Sequence, residues 1–282
     1  MKDSFPLRFL YRTVPGRALL ACLVRPSVSR AAGALLSSPI SKCAIPRFIK
    51  KNGISLEGIE VPEGGFPSFN AFFTRKRKSP GFEPAAGNLI SPCDALLTYQ
   101  PIRKDVLFEV KRSVYTLNDL LDDPELARSF EGGSALIFRL TPAHYHRYCY
   151  CADGEILASR SLKGVLHCVR PVALASVPVF VRNSREYRVI RTERFGLVVQ
   201  MEVGALFVGK MANRRESIHE KVRAGEEKGY FEFGGSTIIL LVRKDAVRFD
   251  PRRYSGRLVD GEIPIRMGEI LGENPVSPEE NS

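Results

Sequence analysis

Residues 225–237 read GEEKGYFEFGGST and run directly into TIILLVR at 237–243. Two adjacent glycines, Gly234 and Gly235, stand between two predicted strands and just before the hydroxyl pair Ser236 and Thr237. Glycine reaches backbone conformations closed to other residues, so this turn is able to hold strain. A tight hairpin explains a bare Gly-Gly equally well. The chemical reading is that the Ser236 hydroxyl reaches the carbonyl of Gly235, the peptide bond immediately before it, and cleaves its own chain.

Outward from that turn, short aliphatic or β-branched runs bounded by Gly, Pro, Asp or Asn recur at 134–140 (SALIFRL), 155–161 (EILASRS), 196–203 (GLVVQMEV) and 205–211 (ALFVGKM). With 237–243 they predict a β-rich body from residue 88 onward. One helix is expected around Thr116 to Phe130, capped by Thr116 or Asn118, with Leu117, Leu120, Leu121 and Leu126 as its apolar stripe. Upstream, apolar residues from Leu7 to Lys51 recur at helical spacing, punctuated by Pro15, Pro26, Pro39 and Pro46, which predicts several short helices. The fold class is therefore α+β: basic amphipathic N-terminal helices, then a β-rich body with one or two helices. Residues 1–65 read as a helical appendage and linker, 66–272 as the main folded domain, and the polar stretch 273–282 as a disordered tail.

The chain has 282 residues, 44% apolar and 26% charged, which excludes collagen, coiled coil and wholesale disorder. Its net charge of +11 is concentrated at the start: residues 1–50 hold nine lysines and arginines against one acid, Asp3. Interleaved with Phe5, Leu7, Phe9, Leu19 and Leu23, these charges suit an anionic lipid headgroup layer. No nucleic-acid module accompanies them, so no nucleic-acid partner is expected. The longest uncharged apolar stretches, Ala31 to Ser41 and Pro171 to Val181, have 11 residues each, short of the roughly 18 that a spanning helix needs. The run ALLACLV at 18–24 lies between Arg17 and Arg25 without a cleavage site, so a signal peptide is not expected. Six irregularly spaced cysteines read as reduced thiols of a protein on the cytoplasmic side.

Four potential ligands crowd into 144–151 as His144, His146, Cys149 and Cys151. In an extended strand the histidines face one way and the cysteines the other, so a zinc site would need a turn between them. The alternative is one histidine as general acid or base, the others packing. Asp94, in the turn SPCDAL, is a carboxylate able to orient such a histidine. Arg139, Glu202 and Lys210 interrupt apolar strand patterns and must be paired or solvent-facing. The basic run Thr74-Arg-Lys-Arg-Lys78 reads as a phosphate contact or, more commonly, a solvated face.

Together, FNAFFTRKRK (69–78), SPCDALL (91–97), LTPAHYHRY (140–148), GVLHCVRP (164–171), MEVGALFVGKM (201–211) and GEEKGYFEFGGST (225–237) resemble, in order, the phosphatidylserine decarboxylase family. The resemblance implies a pyruvoyl-dependent enzyme that converts phosphatidylserine to phosphatidylethanolamine and CO2. Ser236 would be the processing serine, and the Gly235/Ser236 bond the scissile one. The products would be a beta chain, 1–235, and an alpha chain, 236–282, capped by a pyruvoyl group derived from Ser236. Asp94 would match the aspartate of the charge relay and His146 the histidine of the decarboxylation step. A homodimer and peripheral attachment to the cytoplasmic face of a membrane are also implied.

Two positions depart from the family pattern. Gly234 stands where many members have leucine, and Cys149 where the relay histidine usually stands. The expectation is that His146 or His167 serves as the base instead. The alternatives are a catalytically inactive lipid-binding homologue, a zinc hydrolase built on the His/Cys cluster, and a soluble pyruvoyl amino-acid decarboxylase, against which the basic N-terminus argues.

Overall fold

The computed structural model describes residues 5–83, 87–103, 108–110, 113–206, 211–234 and 236–272; Lys210, Gly235 and the segment 273–282 lie outside them. The N-terminal prolines work as expected. Helices α1 (Phe5–Arg12), α2 (Val14–Leu23), α3 (Pro26–Leu36) and α4 (Ile45–Asn52), with a 3-10 turn at Pro39–Ala44, begin anew around them. Pro15, Pro26, Pro39 and Pro46 each occupy the first or second position of their element, where a missing N–H costs nothing. Among the described residues no single helix is long and apolar enough to cross a bilayer; α2 and α3 meet that length and composition only as a pair bent by 67°.

These helices are packed onto the body. Tyr11, Leu20 and Val24 belong to the same buried cluster as the central strands. Phe48 of α4 meets the rings of Phe69 and Phe73 from α5 (Phe69–Phe73), which Ser68 caps through the Ala71 amide. The basic run after α5 is divided: Lys76 and Lys78 are exposed as a solvated face requires, whereas Arg75 is buried, its guanidinium 5.1 Å from the Phe72 ring.

The body is built from β1 (Leu89–Ile90), β2 (Ala95–Pro101), β3 (Phe108–Val110), β4 (Ser113–Tyr115), β5 (Ser134–Leu140), β6 (Arg147–Cys149), β7 (Gly154–Leu162) and β8 (Arg185–Thr192). It continues with β9 (Gly196–Val203), β10 (Met211–Asn213), β11 (Lys221–Val222), β12 (Glu227–Phe231), β13 (Ser236–Val242), β14 (Ile263–Ile265) and β15 (Ile270–Gly272). Among the described residues, eight strands form one antiparallel sheet in the order β11-β7-β8-β9-β13-β5-β2-β14. The run STIILLV of β13 is buried at every position and lies at the centre, between β5 and β9. A second sheet, β10-β12-β6, takes up the chain at Arg147, directly after Tyr145 and His146.

Two expectations need correction. The helix over 116–130 is two helices, α6 (Leu117–Leu121) and α7 (Pro124–Arg128). Asp122 takes φ +51°, and Asp123 caps a new start at Pro124, which cannot sit in a helix interior. The expectation of a strand over 205–211 does not hold at its start either: Ala205 and Leu206 lie outside any strand, Met211 belongs to β10, and 207–210 lie outside the described residues. The chain leaves the sheet after Gly204, whose carbonyl is taken by the Asn183 side chain. The apolar stretch 171–181 contains α8 (Pro171–Leu174) and α9 (Val179–Arg182).

Register decides where the chemistry sits. Ser236 opposes Leu140, Thr237 opposes both Arg139 and Val203, and Arg139 opposes Leu96. At this one end of the sheet β13 enters after Gly234, β5 leaves toward His144 and His146, and β2 enters after Asp94. Arg185 of β8 opposes both Val203 and Leu162, so the segment leading to His167 departs here as well.

Candidate active site

Ser236 is fully buried, and its Oγ has no hydrogen-bond partner among the described residues; Thr237 Oγ1 is in the same state. A buried hydroxyl left unpaired costs about 1–3 kcal/mol, a cost usually kept only where a site needs the group. Before it, Gly234 has φ +150°, a region L side chains rarely adopt. This accounts for the glycine at 234. Phe233 anchors the turn: its amide donates to Asn70 Oδ1 at 3.1 Å, and its ring meets those of Phe48, Phe69 and Phe73 edge-on.

His146 is buried with its ring centroid 4.0 Å from that of Phe73. Its Nδ1 lies 2.9 Å from the His144 carbonyl, an acceptor only, so Nδ1 carries the proton and Nε2 is a bare lone pair. Nε2 is buried without a described partner. Burial, helped by the Arg75 charge, lowers the imidazole pKa to about 3 and keeps the ring neutral.

His144 has the opposite arrangement: its Nδ1 accepts from the Thr141 amide at 3.1 Å. Its pKa is lowered by burial, against an opposing pull from Asp94. His167 is buried as well, with its pKa lowered to about 4 by burial and by Arg182. Its backbone is tied to the sheet end by Asn183, whose Nδ2 donates to the carbonyls of His167 and Gly204 at 2.8 and 2.7 Å.

Asp94 hydrogen-bonds to no histidine among the described residues. Its Oδ2 accepts from Arg77 Nη2 at 2.5 Å and its Oδ1 from the Met267 amide at 2.9 Å. Arg77 in turn lies 4.3 Å above the Tyr145 ring. Cys149 is buried near Asp94, its amide and thiol directed at the Pro92 carbonyl at 2.9 and 3.5 Å. Burial pushes its thiol up to about 12, so it keeps its proton and is no base.

Among the described residues no three His, Cys, Asp or Glu side chains converge to hold a metal ion. Both His144 and His146 have Nδ1 occupied by backbone groups.

A sequence model of the phosphatidylserine decarboxylase family matches residues 69–273. The phosphatidylserine decarboxylase proenzyme 2 of Clostridium acetobutylicum is 38% identical over 272 residues, 95% of this chain and 91% of its own length. The phosphatidylserine decarboxylase proenzyme of Ruminiclostridium cellulolyticum is 37% identical, covering 94% and 90%; that of Fusobacterium nucleatum is 36% identical with the same coverage. The chain belongs to the phosphatidylserine decarboxylase family.

Within this phosphatidylserine decarboxylase fold, the charges expected to be paired, Glu202 and Arg139, are paired, and sequence reasoning passed over their partners Lys228, Asn213 and Glu262. Glu202, directly opposite Ile238 on β13, is fully buried and accepts from Lys228 Nζ at 2.5 Å and Asn213 Nδ2 at 3.2 Å. Tyr148 closes that network through Asn213 Oδ1 at 2.8 Å. Glu202 was visible in the sequence as a charge in an apolar strand; Lys228, 26 positions away, carried no such mark. Arg139 pairs bidentately with Glu262 in an otherwise apolar cleft of about 520 Å3 walled by Leu174, Val179 and Phe180.

Proposed function

We propose that this chain is the proenzyme of a phosphatidylserine decarboxylase, which cuts itself at Gly235/Ser236 and converts Ser236 into a pyruvoyl group. One observation carries the reading: the orphaned, buried Ser236 hydroxyl at the mouth of the central strand, two positions after Gly234 at φ +150°. Because the group is made from Ser236 itself, its fit requires only that this side chain be withheld from structural hydrogen bonds, as it is among the described residues.

In the self-cleavage, Ser236 Oγ bonds to the Gly235 carbonyl carbon and the C–N bond breaks, the nitrogen taking the hydroxyl proton; an ester results. Loss of the Ser236 Cα proton then expels Gly235 as a carboxylate from Cβ and leaves a dehydroalanine; a proton shift from its nitrogen to Cβ gives an imine, which water hydrolyses to the ketone with release of ammonia. The bare His146 Nε2 is assigned as the proton acceptor, since it is neutral and unpaired. Asp94 is assigned to favour the protonated form of His144 by its charge, against the larger effect of burial. When formed, the pyruvoyl carbonyl supplies the electron sink that decarboxylation of an amino acid requires.

Exposed Phe5, Val14, Leu35 and Ile40, set among Arg8, Arg12, Arg17 and Lys42, support a peripheral seat on an anionic membrane face. The substrate's acyl chains would then remain in lipid while its headgroup enters.

Intact mass of the purified protein under denaturing conditions, with and without a carbonyl-trapping amine, tests the reading. Fragments 1–235 and 236–282, the smaller carrying the trap, are expected. A single unmodified chain would favour the inactive lipid-binding homologue instead. Undiminished cleavage in both His146→Ala and His167→Ala, made singly, would remove the histidine assignment.

A further inference from the structure

We propose that Tyr11, on the first N-terminal helix, is a positioning residue that holds His167 in a single tautomer, so that the membrane-facing helices complete the active site. The inference rests on the self-processing reading above and adds to it a residue outside the span matched by the family model.

The geometry is local and closed. Tyr11 is buried, and α1 packs against α8, which follows the His167 segment. The Tyr11 hydroxyl accepts from the Cys168 amide at 2.9 Å and lies 3.4 Å from His167 Nδ1. A phenol has one proton to give, and no other acceptor for it is found among the described residues; it therefore donates to Nδ1. Burial pushes the Tyr11 phenol up, so that proton stays in place. A second tie runs from the Leu166 amide to the Val24 carbonyl at 2.9 Å. Residues 166–168 are thus gripped by the N-terminal helices on one side and by Asn183 on the other.

With Nδ1 an acceptor, neutral His167 carries its proton on Nε2, and that atom is buried without a described partner. His146 is the reverse, with Nδ1 donating and Nε2 bare. Two neutral histidines at the same end of the sheet are therefore set as one donor and one acceptor. This is the pairing that proton withdrawal from Ser236 and proton delivery to the leaving nitrogen require. Nothing in the Gly-Val-Leu-His stretch itself selects the tautomer; Tyr11 does.

Ring 15N shifts of histidine-labelled protein, assigned with His167→Gln, read this directly. In the unsubstituted protein His167 should show the Nε2–H form at neutral pH. Tyr11→Phe should convert it to a mixture or to Nδ1–H, and slow self-cleavage by about 10- to 100-fold, as for loss of a residue that orients a site ligand. Replacing Tyr11 by 3-fluorotyrosine keeps the Cys168 bond and the fold while strengthening the donor; the His167 signal alone should move. Unchanged His167 shifts in both variants, with cleavage at the normal rate, would overturn the proposal. Absence of cleavage in the unsubstituted protein would remove the functional reading, while the ring shifts would still decide the role of Tyr11.

Discussion

The ring of His146 gives its Nδ1 proton to the carbonyl of His144 across 2.9 Å, which leaves Nε2 as a lone pair sealed against Phe73. The same backbone turn thus sets both the orientation and the tautomer of the residue assigned as base.

That seal has a pH signature. An unfolded histidine titrates near pH 6.5, whereas folded His146 is lowered to about 3, so below pH 6.5 the unfolded chain binds the extra proton. Its contribution to stability is complete above pH 6.5 and is lost as pH falls, by about 2 kcal/mol between pH 6.5 and 5. Urea unfolding of uncut Ser236→Ala protein against its His146→Gln derivative should show the slope in the first and a flatter curve in the second. Parallel curves would mean that the imidazole is hydrated.

The Glu202–Lys228 pair should behave as a buried ion pair. Both side chains are fully buried. Glu202→Gln or Lys228→Met alone should cost about 3–5 kcal/mol, because each leaves a lone charge inside; replacing both with apolar residues should restore most of it. Urea midpoints of the three variants check this, and additive losses in the double variant would contradict it.

Thiol reactivity should divide by burial. Cys22 and Cys43 are exposed, whereas Cys93, Cys149 and Cys151 are buried and their thiols are raised by desolvation. Brief iodoacetamide treatment of the folded protein at pH 8, read by peptide mass spectrometry, should label the first two and spare the other three. Labelling at Cys149 would mean that the wall beside Asp94 opens.

Membrane binding should depend on a few exposed side chains. Phe5 is 82% and Ile40 80% exposed. Phe5→Ser with Ile40→Ser should weaken sedimentation with phosphatidylglycerol vesicles, and salt should weaken it further as each basic group loses about 1 kcal/mol of attraction. Phosphatidylglycerol is used so that headgroup turnover plays no part. Retention of the double variant at high salt would place the contact elsewhere.

Much of this was legible in the residues. The strands at 134–140 and 196–203 begin and end where their apolar runs do, since a strand buried on both faces announces itself by continuous aliphatics. Strand Arg185–Thr192 was hidden because Arg185 and Arg188 break the apolar pattern. Their burial draws on distant carbonyls (Leu120, Asp119) and a distant carboxylate (Glu216) as well as on near neighbours such as Val181 and Glu186. Asp94, His146 and Ser236 could be named from their motifs, but the partner of Asp94 could not: Arg77 lies 17 positions upstream in a run that reads as solvent-facing.

By itself the sequence determined the family, the proline-punctuated helices, the β-rich body and the serine behind two glycines, because each is written in neighbouring residues through periodicity, turn chemistry or motif. Only the tertiary structure decided which histidine nitrogen is free, that Cys149 is a sealed thiol, and that Tyr11 reaches His167 across 156 positions. Burial and hydrogen-bond partnership set tautomer and charge, and both depend on strands and helices that meet only when the chain is folded.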